Sequence, residues 1–331
     1  MARVAVIGTT GWGTTLAALF GRNGNDVFLM ARTAAEADAI NAARENVRHR
    51  PGLRLPPNVS ATIDPEALAA SDLVVLAVPS ATLRSNLVRY APAIAADASV
   101  LSAAKGIEPD TCLRMSEIMA AFGIEEERVL VLSGPNFASE IASGLPAATV
   151  IAGRQRQRAE AAQKLLAGPT LRVYTSDDVV GVEIGGALKN VIAIACGLSD
   201  GLGYGENARA ALITRGLAEI TRLGVAAGAQ PLTFLGLAGL GDLVLSCGSN
   251  LSRNRRLGLA LARDASLSEA LASIDGVVEG VVTARAVPVL ASRLAVEMPI
   301  CASLHAVLFE GKSSIEAGRE LMARAARQER D

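Results

Sequence analysis

The stretch Val4-Ala5-Val6-Ile7-Gly8-Thr9-Thr10-Gly11-Trp12-Gly13-Thr14-Thr15-Leu16-Ala17 opens on an aliphatic run, passes through three glycines and continues into a helix-forming segment. Strand, glycine turn and helix in that order are the first βα unit of a dinucleotide-binding fold. Its fingerprint needs one glycine for the tight turn, a second where pyrophosphate approaches the backbone, and a third where helix packs on strand. Gly8 and Gly13 take the first and third places, while Thr10 stands in the second with Gly11 displaced by one. The start of the helix offers N–H groups and the positive end of its dipole to a phosphate. A glycine-rich turn without ligand is the plainer reading of any such segment. Its place behind a clean strand and ahead of a helix favours a cofactor.

Working outward, strands are predicted over 2–8, 26–30, 73–78, 100–103, 129–133, 149–152 and 171–175. Several are apolar at consecutive positions, as in strands covered on both faces by helices. Helical spacing of apolar residues marks 14–22, 34–44, 81–90, 112–122 and 158–166 between them. That alternation predicts a parallel sheet with right-handed crossovers. From about Asp178 the strand signal stops, and 179–198, 208–227, 251–262, 281–294 and 315–325 read as helices. The expected architecture is therefore an α/β Rossmann-like doubly wound parallel sheet over 1–180, followed by an all-helical domain over 181–331. Helix 179–198 could belong to either half.

Composition supports two domains, since 331 residues exceed the usual single-domain size of about 150. Half the residues are apolar, mean hydropathy is +0.34, and 32 Lys+Arg against 33 Asp+Glu leave a net charge of −1. That balance argues against nucleic acid or an anionic membrane surface as a partner. No uninterrupted apolar run approaches the ~18 residues of a spanning helix, and no cleavable signal pattern is expected. Cys112, Cys196, Cys247 and Cys301 are far apart, and the histidines are His49 and His305. No metal site or disulfide scaffold is expected, and the thiols read as structural in a cytoplasmic protein.

Counting 24 residues from Gly8 reaches Arg32, after Val27-Phe28-Leu29-Met30-Ala31. A site selective for NAD places Asp or Glu there for the ribose 2′-hydroxyl, whereas Arg accommodates a 2′-phosphate. An Arg behind a strand also simply faces water, but beside the glycine turn it predicts NADPH favoured over NADH.

The chain holds 28 arginines and four lysines, Lys105, Lys164, Lys189 and Lys312. A Lys kept in an Arg-rich chain is a candidate for giving up a proton, which Arg does not do. Lys164 and Lys312 sit in polar surroundings. Lys105 closes a buried-type strand, where ligands bind in open α/β sheets. Lys189 lies in Gly185-Gly186-Ala187-Leu188-Lys189-Asn190-Val191-Ile192, apolar at most positions. It either snorkels to the surface or is held in a site that lowers its pKa, from which it can protonate a carbonyl oxygen. Asp242, among glycines and aliphatics, is a partner for a buried Lys. Asn250 or Ser252 caps the next helix, so that Ser252, Arg253 and Asn254 form a phosphate-binding start. A capped, basic surface helix is the plainer reading of that segment.

These segments together resemble the bacterial NAD(P)-dependent glycerol-3-phosphate dehydrogenases. The likeness runs through Gly11-Trp12-Gly13-Thr14, Ala77-Val78-Pro79-Ser80, Ala104-Lys105-Gly106-Ile107-Glu108, Ser133-Gly134-Pro135-Asn136-Phe137-Ala138 and Glu183 to Asn190. It continues through Gly239-Leu240-Gly241-Asp242-Leu243, Leu251 to Arg256 and Val278-Glu279-Gly280-Val281. The resemblance implies reduction of dihydroxyacetone phosphate to sn-glycerol 3-phosphate, a phospholipid precursor, by a homodimer. It implies Lys189 as proton donor in reduction, Lys105 in contact with substrate and cofactor, and Gly134, Asn136, Asp242, Ser252, Arg253 and Asn254 around the substrate. It places the cofactor at Gly11, Trp12, Arg32 and Ala138, and from the helical half at Arg253, Val277 and Glu279. Thr10 replaces the loop's second glycine and Asn136 replaces a serine usual after Gly-Pro. Either departure is expected to alter cofactor KM rather than abolish activity. Two rival readings stand beside this one: a ketopantoate reductase or β-hydroxyacid dehydrogenase, which has no need of a phosphate cluster, and an NADPH-sensing module without turnover.

Overall fold

The computed structural model describes residues 1–263, 265–325 and 328; the rest of the expected 181–331 unit lies outside them. Eight strands form one sheet: β1 (Arg3–Ile7), β2 (Asp26–Met30), β3 (Val59–Thr62), β4 (Leu73–Leu76), β5 (Ser99–Ser102), β6 (Val129–Ser133), β7 (Ala147–Ala152) and β8 (Leu171–Ser176). Their order is β3-β2-β1-β4-β5-β6-β7-β8. Strand order reverses at β1, which pairs with β2 on one side and β4 on the other, both parallel.

The flanking helices are α1 (Gly11–Arg22), α2 (Ala34–Ala43), α3 (Glu66–Ala69), α4 (Leu83–Tyr90), α5 (Met115–Ala121), α6 (Ala138–Ala142) and α7 (Arg156–Leu166). Val4 and Val6 of β1 pack with Leu16, Phe20 and Leu166 on one face of the sheet. Ala5 and Ile7 pack with Leu83, Leu87 and Ile118 on the other. Both faces need apolar side chains, which is why the strands read as continuous apolar runs.

Two expectations are corrected. The sheet has eight strands, because β3 (Val-Ser-Ala-Thr) is an edge strand of small residues with only one covered face and gives little hydrophobic signal. It is also not wholly parallel: β7 runs antiparallel to β6. The link between them holds only the five-residue α6, about 7.5 Å long. Parallel neighbours are usually joined by a longer crossover helix that returns the chain to the start of the first strand; here β7 sets off from the end where β6 stops.

The second half is helical: α8 (Val179–Gly201), α9 (Gly205–Ala226), α10 (Asp242–Gly248), α11 (Arg253–Leu261), α12 (Leu267–Ala272), α13 (Glu279–Arg293), α14 (Pro299–Phe309) and α15 (Ser314–Met322). Among the described residues α8 is the one helix long and apolar enough to cross a membrane, and it is the buried axis of this half. Leu188, Ile192, Phe234, Leu257 and Val287 share its core. The lobes are tied across the cleft by Glu183 of α8, whose carboxylate accepts from Ser116 N–H (2.7 Å), Ser116 Oγ (2.6 Å) and Arg114 Nη1 (2.6 Å).

Candidate active site

Gly185 and Gly186 decide where Lys189 goes. A Cβ on Gly185 would lie 2.8 Å from the Ala238 carbonyl, and one on Gly186 would lie 2.4 Å from Ser133 Oγ. Glycine at both positions lets α8 touch the end of β6 on one side and the π turn Leu237–Gly241 on the other. Lys189, one turn further on, is thereby held between the two lobes. Close packing requires glycine at both positions.

Lys189 does not snorkel. It is 7% exposed, and its Nζ donates to Asp242 Oδ1 at 2.9 Å and Ser246 Oγ at 2.7 Å. Lys105, three residues past β5, donates to the other carboxylate oxygen, Asp242 Oδ2, at 2.6 Å and to the Gly134 carbonyl at 2.8 Å. Two amines from different lobes thus share one carboxylate. Asp242 reaches them because the π turn runs straight into α10, and π turns recur where a helix is reshaped for function.

Burial alone would raise the Asp242 carboxyl, but the Lys105 and Lys189 ammoniums outweigh it and hold it below the usual carboxylate range. Burial pushes the Lys105 amine down to about 8 against the opposing pull of Asp242, and the Lys189 charge pushes the same way as burial. The amine end is enclosed although 17% of the Lys105 side chain remains exposed. The site therefore holds a proton-bearing amine that can release its proton near neutral pH.

Facing this cluster are the ends of β1 and β4, at the point where strand order reverses and ligands of open α/β sheets bind. Gly8 has φ +116°, and a Cβ there would sit 2.7 Å from the Ala77 carbonyl. A Cβ on Gly13 would fall 2.0 Å from the Gly8 carbonyl, so the turn and α1 are packed as the fingerprint requires. Thr10 donates to the Ala77 carbonyl (2.9 Å) and accepts from Gly13 N–H (3.0 Å). It caps α1, which starts three residues earlier than expected, and its hydroxyl is turned to the protein. The first N–H groups of α1, from Gly11 and Trp12, have no partner within the helix. Arg50 Nε, buried and unpaired, lies near Gly11. A turn closed by glycines, with an orphaned guanidinium nitrogen above a helix start, fits a dinucleotide phosphate.

Trp12 itself packs partly against the sheet core. Ala138 opens α6 and its carbonyl lies 3.5 Å from Thr15 Oγ1, beside α1. Arg32 is exposed at the end of β2. Glu279 accepts from Ser80 N–H at 3.1 Å and from Ser80 Oγ, joining the lobes above Gly106. Val277 is half-exposed.

Ser252, rather than Asn250, caps α11 by accepting from Arg255 N–H at 3.3 Å. Arg253 Nη1 occupies the space that a Cβ on Gly276 would need, 2.5 Å from where that atom would lie. Asn254 donates to Asn190 Oδ1 (2.7 Å) and accepts from Gly280 N–H (2.9 Å), fixing α11 and α13 to α8. Asn136 is fixed by its amide: its Oδ1 accepts from Thr149 Oγ1 (2.9 Å) and its NH2 donates to the Ala148 carbonyl (3.4 Å). Sequence reasoning missed Ser246, four residues after Asp242 on one helix face, where the spacing itself was a signal. Asn190, next to Lys189, was quoted without a role. Ser80 was likewise quoted, in Ala77-Val78-Pro79-Ser80, without a role, and Glu36 carried no local signal.

Profiles of two domains match this chain: NAD-dependent glycerol-3-phosphate dehydrogenase N-terminus over residues 3–159, and the corresponding C-terminus over 178–319. A glycerol-3-phosphate dehydrogenase [NAD(P)+] of Corynebacterium aurimucosum is 50% identical over 332 residues, covering 99% of this chain and 100% of the relative. One from Streptomyces avermitilis is 47% identical, covering 99% and 98%. The crystal structure of glycerol-3-phosphate dehydrogenase from Coxiella burnetii superposes with a TM-score of 0.92 at 38% identity, covering 98% of this chain and 99% of that one.

Proposed function

The chain belongs to the NAD-dependent glycerol-3-phosphate dehydrogenase family, and from that premise we propose that it reduces dihydroxyacetone phosphate to sn-glycerol 3-phosphate with NAD(P)H, reversibly. The observation that carries this reading is the pair of amines on one buried carboxylate, one of them just past β5 at the sheet edge on which the glycine turn also opens. A sensing module needs no such proton source, and ketopantoate reduction needs no phosphate site at Ser252–Asn254.

The dinucleotide would be held at Gly8, Gly11, Trp12, Gly13, Arg32 and Ala138, and from the helical half at Arg253, Val277 and Glu279. When bound, it supplies the hydride. The remaining work belongs to the protein's own side chains. Lys189 places an ammonium where the ketone oxygen turns anionic and gives it the proton, and Asp242 and Ser246 fix that amine. Lys105 adds positive charge from the other lobe, anchored on Gly134. The start of α11, with Ser252, Arg253 and Asn254, binds the substrate phosphate and so keeps C2 in register. In oxidation the same amine takes the proton back.

The wider reading has NADPH favoured, a homodimer, cytoplasmic localisation, a lobe boundary near residue 180 and supply of glycerophospholipid synthesis. The test is oxidation of NADPH and NADH by the purified protein on addition of dihydroxyacetone phosphate or ketopantoate. Turnover with the phosphate ester, at a higher kcat/KM for NADPH, supports the reading, and turnover with ketopantoate alone refutes it.

Arg253→Ala should raise the KM for dihydroxyacetone phosphate roughly tenfold to a hundredfold, the scale of a lost charge-assisted contact, with a smaller change in kcat. An unchanged KM would remove Arg253 from the phosphate site. Because Lys105 carries its proton only below about 8, kcat/KM for reduction should fall as pH rises through that value. Lys105→Arg, which stays charged, should shift that limb upward. A limb that stays put would assign it to another group.

A further inference from the structure

Beyond the catalytic cluster, the corner where the adenosine ribose would lie contains a carboxylate that the reading above does not use. Glu36, in the first turn of α2, is held in place by Thr33, whose hydroxyl accepts from Glu36 N–H at 3.2 Å. Its Oε2 accepts from Arg32 N–H at 2.9 Å and lies 3.4 Å from Arg32 Nε, and its Oε1 lies 3.3 Å from Arg32 Nη2. Thr9 Oγ1, in the glycine turn, donates to Oε1 at 2.8 Å. The Glu36 side chain is 16% exposed against 62% for Arg32. A largely covered carboxylate thus restrains the guanidinium at the end of β2.

Burial works against the charge on Glu36, but bonds from Arg32 and Thr9 together with the Arg32 charge outweigh it and hold the carboxyl below its usual range. It is an ionised acceptor at neutral pH. His49 belongs to the same corner: burial and the charges of Arg48 and Arg32 push its pKa down, while Glu36 opposes them.

These partners suit the two nicotinamide cofactors differently. A ribose 2′-hydroxyl donates a hydrogen bond, and a carboxylate is its acceptor in NAD-selective sites. A 2′-phosphate needs the guanidinium and is repelled by a carboxylate beside it. Arg32 and Glu36 therefore put both modes of recognition in one place. We propose that Glu36 is a cofactor-selectivity residue: its carboxylate receives the 2′-hydroxyl of NADH and holds Arg32 back from the 2′-phosphate of NADPH, so that it sets the ratio between the two. This rests on the reading that the dinucleotide binds at the Gly8–Gly13 turn.

The experiment is equilibrium titration of the full-length wild type, E36Q, R32A and the R32A/E36Q pair with NADPH and with NADH, read by nicotinamide fluorescence, beside kcat/KM with each. Glu36→Gln keeps one oxygen to accept from Arg32 N–H, and its NH2 can donate to Thr9 Oγ1, which also accepts, so the corner should stay folded. E36Q should bind NADPH about tenfold more tightly and NADH severalfold more weakly, the scale of one charge-assisted contact. The gain for NADPH should vanish when Arg32 is already Ala. Equal changes for both cofactors, or none, overturn the proposal. Failure of the wild type to bind either cofactor overturns the dinucleotide reading itself, and the proposal with it.

Discussion

Lys189→Met lowers kcat for ketone reduction by about three orders of magnitude, within the range for losing a positioned acid that also stabilises the developing oxyanion, while NADPH binds with a near wild-type Kd. Methionine matches the length of the lysine stem and leaves Asp242 still paired with Lys105 at 2.6 Å. One positive and one negative charge then remain buried together, so the fold has no reason to fail. Lys105 does not replace the missing acid, because it enters from the other lobe, where Asp242 and the Gly134 carbonyl fix its Nζ in a different position from that of Lys189. The nucleotide turn lies across the cleft and contains none of the lost contacts. Steady-state kinetics with NADPH fluorescence titration checks this; turnover within a few-fold of wild type would remove Lys189 from acid–base duty.

Asp242→Asn is expected to damage both stability and rate. Removing one member of a buried ion pair typically costs about 3–5 kcal/mol, and here it strands two amines at once. Asp242 is the group that raises the Lys105 pKa against burial. Without it that pKa drops below about 8, and the amine is neutral at physiological pH. Reduction should then slow by about a hundredfold or more and recover in part as pH is lowered and the amine regains its proton. Stability should move the other way. The unfolded chain holds the lysine proton up to its ordinary pKa while the folded variant releases it earlier, so the unfolded state binds more protons between those values and stability rises with pH across that window. Opposite pH trends in activity and thermal unfolding are the signature. Parallel trends, or a wild-type profile, would mean that Asp242 does not govern the amines.

The sheet, the glycine turn and the helical second half were legible because each leaves a local pattern. The turn is written in the six consecutive residues Gly8 to Gly13, and α8 in its apolar run. What escaped notice depends on partners distant in sequence. β3 is a strand through its pairing with β2, not through its own small residues. The reversal at β7 goes with a link to β6 that carries only the five-residue α6 in place of a long crossover helix. Lys105, Lys189 and Asp242 stood out as odd residues for their surroundings, yet nothing local says that both amines share one carboxylate, which needs α8, β5 and α10 assembled. The Lys105 amine, which burial and a neighbouring ammonium both push down, depends on that same assembly. Asn136 was placed around the substrate by the resemblance; its bonds to Thr149 and the Ala148 carbonyl, thirteen and twelve residues on, have no local signal.

The most direct test is a crystal structure of the ternary complex with dihydroxyacetone phosphate and oxidised nicotinamide cofactor. The ketone oxygen should lie within hydrogen-bonding reach, about 3 Å, of Lys189 Nζ, with the phosphate at the start of α11. A ketone remote from that nitrogen, or a phosphate bound away from Ser252–Asn254, would contradict the account.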